Sequence, residues 1–302
     1  MSLEISNVSV AASGAPILTS VSLTVGDHER VGLIGASGSG KSMLATSVMG
    51  LMPSNVTVRG SALLDGQELV GLSPHQFADI RGRSVGFVFQ DPLASLNPVV
   101  PVGTQIAAPL KRHYSLGSAE RRSRVEAMLE KVGLEPRLAT AYPHELSGGQ
   151  AQRAAIACAL ITSPRLIIAD EPTTALDAMT QVQITHLLSS LVDDAGASLL
   201  FITHDFSVLA RVAQRCYVLG AAPESARAGS STAGSSNVGS SNVGSSNVGS
   251  SIVESGETHE LLAHPRSAAG ARLVEAARRL SFSAQNADQM PVPPRSHEGG
   301  QL

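Results

Sequence analysis

Gly35, Ala36, Ser37, Gly38, Ser39, Gly40, Lys41 and Ser42 follow the pattern G-x-x-x-x-G-K-S. The glycines let successive backbone N–H groups turn inward around phosphate oxygens. A helix starting at this point adds its positive end. In such a loop the lysine, Lys41, reaches the β- and γ-phosphates of a nucleotide, and the Ser42 hydroxyl ligates Mg²⁺. Asp170 and Glu171 stand directly behind the apolar run Leu166-Ile167-Ile168-Ala169. Downstream of a phosphate loop, this pair suits Asp170 on the magnesium shell and Glu171 as the base that polarises an attacking water. The competing reading is a purely structural acid pair. Ser147, Gly148, Gly149 and Gln150 precede a predicted helix over about 150–162. A Ser hydroxyl, glycine N–H groups and a helix N-terminus together form an anion site, although such a turn can also be no more than a helix start. The phosphate loop already serves one nucleotide, so a second anion site points to another nucleotide and a two-chain arrangement.

The elements that carry these residues can be read from periodicity. Leu3, Ile5, Val8 and Val10, then Val21, Leu23 and Val25, alternate on either side of Ser13-Gly14-Ala15-Pro16, as in an antiparallel strand pair. Val31-Gly32-Leu33-Ile34 is a buried strand leading into the glycine-rich loop, and a helical pattern runs from Lys41 to Gly50. Strands are predicted near 56–64 and over Val85 to Phe89. Residues 119–133 form an amphipathic helix with Val125, Met128, Leu129 and Val132 on one face. After the 166–169 strand come a helix over 179–193 and the strand Leu199-Leu200-Phe201-Ile202-Thr203, ending at His204. Apolar strands alternating with helices indicate a largely parallel sheet, whose ligands bind at the carboxyl ends of the strands. The phosphate loop, Asp170-Glu171 and His204 would share that edge.

The predicted fold class is therefore α/β: a phosphate-loop cassette with a mixed, mainly parallel sheet, N-terminal antiparallel strands and an inserted helical subdomain. The α/β core is expected over 1–91 and 161–265 and the helical subdomain over 92–160. Residues 229–253 repeat as GSSTA, GSSNV, GSSNV, GSSNV and GSSIV, which predicts a disordered loop over 221–251. Short helices are expected near 257–263 and 268–280, with disorder from about 283 and a C-terminal unit over 266–302.

Composition narrows the function classes. Lys plus Arg number 22 against 25 Asp plus Glu, a net charge of −3, which gives no support to nucleic-acid binding through bulk charge. Two cysteines, Cys158 and Cys216, exclude a disulfide scaffold or a cysteine-based zinc ribbon and fit a reducing compartment. No secretory signal is read at the N-terminus, and the most apolar stretches are far shorter than the roughly 20 residues a spanning helix needs.

The ordered set GASGSGKS, Gln90 in VGFVFQDP, LSGGQ, LIIADEP, Ala175-Leu176-Asp177 and His204 in FITHD resembles the ATP-binding cassette of ABC transporters over roughly residues 3 to 265. FQDPLASLNPV, YPHELSGGQ and ADEPTTALD look like the ATPase subunits of dipeptide, oligopeptide and nickel importers. The resemblance implies an ATPase using ATP and Mg²⁺, with Gln90 at the magnesium or the attacking water. It implies Ser147 and Gly149 facing the γ-phosphate of an opposite cassette, Asp177 at the dimer seam and His204 at the γ-phosphate. It further implies a second cassette, two transmembrane permease subunits, an extracytoplasmic solute-binding protein acting indirectly, and a peripheral place on the cytoplasmic face of the membrane. The alternatives are a binding-only regulatory cassette and a soluble, non-transport cassette ATPase. Three departures stand out. No aromatic precedes Phe77, where relatives stack a ring on adenine and this chain has Val10-Ala11-Ala12. The repeat interrupts a strand pair between Tyr217-Val218-Leu219 and Ile252-Val253. The stretch after His264-Pro265 lacks the family's usual aromatic.

Overall fold

The computed structural model describes residues 3–174, 176–221 and 249–287. The N-terminal alternation forms β1 (Leu3–Ala12) and β2 (Ala15–Val25), antiparallel and joined at Ser13-Gly14. Both turn residues have positive φ, 48° and 83°, as a tight hairpin of this hand requires. The apolar spacing is not a strict period of two: Ile5 to Val8 is three, and so is Leu18 to Val21. A regular strand would turn Val8 and Val21 outward. Instead the register shifts between Ile5 and Val8, with Asn7 at φ 50° and Ser20 at φ 46°, and both valines are fully buried.

β3 (Arg30–Gly35) leads through the glycine loop into α1 (Lys41–Val48). β4 (Val56–Leu64) pairs antiparallel with β1, and the two-residue β5 (Gln67–Glu68) pairs with β4. α2 (Pro74–Ile80) begins with a capping box between Ser73 and Gln76 and leads to β6 (Val85–Val88).

Residues 92–160 hold α3 (Pro92–Ser95), α4 (Val102–His113), α5 (Ser118–Lys131), two 3₁₀ turns and α6 (Gly148–Leu160). The periodicity of α5 is visible in the sequence. That of α4, which contains Pro109, is not. Val102, Ile106 and Leu110 of α4 meet Val125, Leu129 and Val132 and the alanine-rich face of α6 in one apolar cluster. The cluster continues into Val88, Ile167 and Ala169 of the sheet, so α6 is the wall shared by the helices and the sheet.

β7 (Leu166–Asp170), α7 (Ala178–Asp194), β8 (Ser198–Thr203), α8 (Phe206–Val212) and β9 (Arg215–Ala221) complete the core. β10 (Ser250–Glu257), α9 (Thr258–Ala263) and α10 (Ala268–Ala287) follow. The ten strands lie in the order β5-β4-β1-β2-β10-β9-β3-β8-β7-β6. From β9 to β6 all neighbours run parallel, and the strands from β5 to β2 run antiparallel. β10 joins the two parts, antiparallel to β9 and touching β2 at Ser250–Leu18. Every residue of β7 and β8 is buried, because apolar clusters cover both faces of the sheet.

Two expected boundaries are corrected. Ala221, Ser250 and Ser251, assigned to the loop, are in strands, because pairing β9 with β10 satisfies their backbone groups. Residues 222–248, which include most of the repeat, lie outside the described residues. α10 continues past 283 to Ala287, since no Pro or Gly interrupts 281–287. The remainder of the expected tail lies outside the described residues.

Candidate active site

Four neighbouring parallel strands end at one edge. β3 pairs Ile34 with Thr203 of β8, β8 pairs Ile202 with Asp170 of β7, and β7 pairs Ala169 with Val88 of β6. The residues just beyond those ends are the loop from Gly35, His204, Glu171, and Phe89-Gln90. Sheet order alone therefore brings together segments far apart in sequence.

The loop is shaped by close approach. A Cβ on Gly35 would lie 2.7 Å from the Leu219 carbonyl oxygen, and Gly40, at φ 95°, would put one 2.7 Å from Leu18 Cδ2. No larger residue fits either position. Gly40 caps α1 without a side-chain bond, which leaves the first-turn N–H groups facing the loop. Lys41 is 4% exposed. Its Nζ donates to the carbonyls of Gly35 (2.9 Å) and Ala36 (3.1 Å) and lies 3.5 Å from Glu171 Oε1. The Ser39 hydroxyl oxygen is buried and has no hydrogen-bond partner. A phosphate oxygen is a group that would satisfy it. Ala36, Ser37 and Gly38 form the exposed lip.

The acid pair splits into two environments. Asp170, the last residue of β7, is buried and accepts from Ser42 Oγ at 3.0 Å. Burial pushes its carboxyl above the usual range, with the neighbouring Glu171 charge adding to this and the Ser42 bond and Lys41 opposing it. Glu171 adopts φ 45° and donates its N–H to Ile202 O at 2.9 Å. A left-handed backbone is unfavourable for a residue with a Cβ, and such strain is commonly stored at working sites. Its Oε2 accepts from Thr174 Oγ1 (3.0 Å) and Gln90 Nε2 (3.3 Å) and lies 3.2 Å from His204 Nδ1. Burial alone would raise the Glu171 carboxyl. The Thr174 bond, His204 and Lys41 together hold it below its usual value, so it stays ionised. Thr174 was not singled out from the sequence. Its signal is a hydroxyl three residues beyond the acid, within reach across one turn.

Ser42, Asp170 and Gln90 offer a hydroxyl, a carboxylate and an amide carbonyl to a cation. Among the described residues no group of three His, Cys, Asp or Glu could hold a metal by itself. That donor set fits Mg²⁺, which binds through few protein oxygens, retained waters and phosphate oxygens.

The turn at Ser147 is built differently. Ser147 caps α6: its Oγ accepts from Gln150 N (3.3 Å), and its N–H donates to Gln150 Oε1 (2.9 Å). Ser147 and Gly148 are exposed, and Gly149 abuts the start of α7, where its Cβ position lies 3.1 Å from Thr180 Cγ2. Asp177 caps α7 through Thr180 N (3.0 Å) and Thr180 Oγ1 (2.6 Å). Those Thr180 bonds lower its carboxyl. The structure thus joins two clusters: Gly35–Ser42 with Asp170, Glu171, His204 and Gln90, and Ser147–Gln150 with Asp177.

Comparisons with known proteins agree with this geometry. The chain is 43% identical over 233 residues to the oligopeptide transport ATP-binding protein OppD of Mycobacterium tuberculosis, covering 74% of this chain and 38% of that protein. It is 44% identical over 200 residues to the oligopeptide transport ATP-binding protein OppF of Escherichia coli, covering 66% of this chain and 59% of that one. The chain thus spans less than two thirds of either relative. A dimeric structure of a post-hydrolysis state of the ATP-binding cassette MJ0796, bound to ADP and Pi, matches with a TM-score of 0.64 and 34% identity, covering 72% of this chain and 93% of that one. Residues 18–174, just over half of the chain, match the family model for ABC transporters, and the chain belongs to that family.

Proposed function

We propose that the chain is the ATP-hydrolysing motor subunit of an ABC importer for peptides or nickel, driving separate permease subunits through dimerisation of two cassettes. The observation that carries this reading is the Glu171 carboxylate. It is ionised, held by Thr174, Gln90 and His204, and set beside Lys41 at the mouth of the phosphate loop.

In this reading Lys41 and the loop N–H groups of Gly35–Ser42 neutralise the phosphate chain. Glu171 accepts a hydrogen bond from a water and aims it at the γ-phosphorus, and His204 fixes the geometry of that water. The new P–O bond forms as the bond to ADP breaks, the proton of the attacking water passes through Glu171 to the released phosphate, and Lys41 offsets charge on the leaving oxygens. When bound, Mg²⁺ would be held by Ser42 and Asp170 with Gln90, and would neutralise charge on the phosphate oxygens. Ser147, Gly148, Gly149 and Gln150 would face the nucleotide of the partner cassette, with Asp177 at the seam. Closure is favoured because only the closed dimer makes those contacts.

In this reading the core comprises 1–91 and 161–265, interrupted by the repeat segment between β9 and β10, and 92–160 is the docking subdomain. A groove of about 600 Å³ between α3, α4 and the end of β6 is lined by Phe87, Phe89, Val100 and Arg112 and suits a permease segment. Phe89, 39% exposed, directly precedes Gln90, which gives such a segment a route to the active site. Among the described residues no helix is long and apolar enough to cross a membrane. In this reading the permeases hold the chain at the cytoplasmic face, and the solute-binding protein meets only them.

The test is a mild-detergent pull-down from native membranes followed by an ATPase assay of the complex. Recovery of two multispanning proteins and a second cassette, with magnesium-dependent hydrolysis lost in Glu171→Gln, supports the proposal. A chain confined to the soluble fraction with no membrane partner overturns it.

A further inference from the structure

At the end of the sheet opposite the phosphate loop, the surface carries an open polar depression of about 580 Å³, with its charged lining residues exposed. Its walls come from the β4–β5 turn, α2, the approach to β6, the C-terminal end of α4 and the turn between α6 and β7. Both acids and both bases on its lining come from different segments: Asp65 and Asp79 against Arg83 and Arg165. Arg165 Nη1 lies 4.0 Å from Asp65 Oδ2, and Asp79 is held at 3.5 Å by Arg112 from outside the lining. The Arg83 guanidinium makes no hydrogen bond or ion pair with any described residue. Gln67, Gln76 and the Tyr114 hydroxyl supply further polar groups. The size lies within the range of small-molecule sites.

We propose that this depression binds a small zwitterion carrying one free carboxylate and one free ammonium group, namely an amino acid or a short peptide. Charge selects that class. An inorganic dianion would meet Asp65 and Asp79, and a bare cation would meet Arg83 and Arg165, so each suffers like-charge repulsion. A dipolar molecule can set its carboxylate on the planar fork of Arg83, where bidentate bonds form, and its ammonium toward the carboxylates. The site is separate from the nucleotide groups. It sits where β6 and β7 begin, whereas Gln90 and Asp170 lie where those strands end. It does not depend on the proposed motor function, and either can fail alone.

Calorimetric titration of the full chain tests the assignment, with glycylglycine as probe. Saturable binding is expected. It should weaken at least about tenfold in Arg83→Gln, the smallest loss that removal of a charge-assisted hydrogen bond implies. N-acetylglycine, which lacks the ammonium, and glycinamide, which lacks the carboxylate, should lose a similar factor. Unchanged ATP binding in Arg83→Gln shows that the variant is folded, and Arg165→Gln serves as the second variant. No saturable binding of glycylglycine, equal binding by both variants and the wild type, or tighter binding of inorganic phosphate than of glycylglycine would each overturn the proposal.

Discussion

At the phosphate loop, Lys41 is almost wholly buried and tied to two carbonyls, and an ionised glutamate stands 3.5 Å away. At the Ser147 turn the same ingredients, glycine N–H groups at a helix start, are exposed and capped only by their own Ser147–Gln150 pair. One anion site is backed by the strand edge that carries Asp170, Glu171 and His204. The other presents its donors outward beside Asp177. The difference teaches that a helix N-terminus makes an anion site, while a chemical site needs a sheet edge to gather charge around it. It also explains why the second site suits a ligand held mainly by another chain. An incoming phosphate can replace the long 3.3 Å cap bond of Ser147, whose loss costs on the order of 1 kcal/mol.

The largest effect expected from breaking this contrast is at Glu171. Glu171→Gln keeps the shape of the side chain but removes the charge that polarises water. Hydrolysis by the assembled protein should fall by about 10²–10⁴-fold while ATP binding persists, read by steady-state rates alongside nucleotide titration. Next, the two anion sites should separate under mutation. Lys41→Ala should weaken ATP binding to the isolated chain at least about tenfold. Ser147→Arg should leave that binding within about twofold, because the sites are remote in one chain, yet abolish hydrolysis in the assembly. Equal loss of binding in both variants would mean that the chain folds its Ser147 turn onto its own nucleotide.

A smaller effect concerns the base. No ring in the first strands can stack on adenine, so Ala12→Tyr, at the end of β1, should tighten ATP by about 1–3 kcal/mol of stacking. An unchanged ATP affinity would show that the base is held elsewhere. The smallest effect distinguishes the two acids. Asp170 has a raised folded pKa, so its ionisation costs stability as pH rises through that value. Glu171 has a lowered one, and its contribution is lost as pH falls through it. Asp170→Asn should therefore raise the melting temperature of the ligand-free chain at neutral pH, by roughly 2–4 °C for each kcal/mol relieved. The gain should shrink at acid pH, where the wild-type carboxyl is already protonated. An unchanged melting curve at neutral pH would contradict the cost assigned to burying Asp170.

Local chemistry is what the sequence determines by itself. Glycine and lysine types at fixed spacing define the loop, because only glycine tolerates the approach of Leu18 and Leu219. Runs such as Leu166–Ala169 announce strands covered on both faces, and an acid directly after such a run lies at the carboxyl edge. The resemblance across six ordered motifs adds His204, Gln90 and Asp177. Tertiary structure decides what local pattern cannot carry. β8 is inserted between β3 and β7, which sets His204 against Glu171. β6 flanks β7, which brings Gln90 to the same carboxylate across 81 residues of sequence. The left-handed backbone of Glu171, the Thr174 bond and the bulges that keep Val8 and Val21 inward also arise only from packing. α4 is concealed for the same reason: Pro109 and a short apolar stripe leave its helical state to the partners α5 and α6 that cover it. Strand order and side-chain pairing are non-local, chosen by which crossovers bury both faces of the sheet, and no window of neighbouring residues contains that choice.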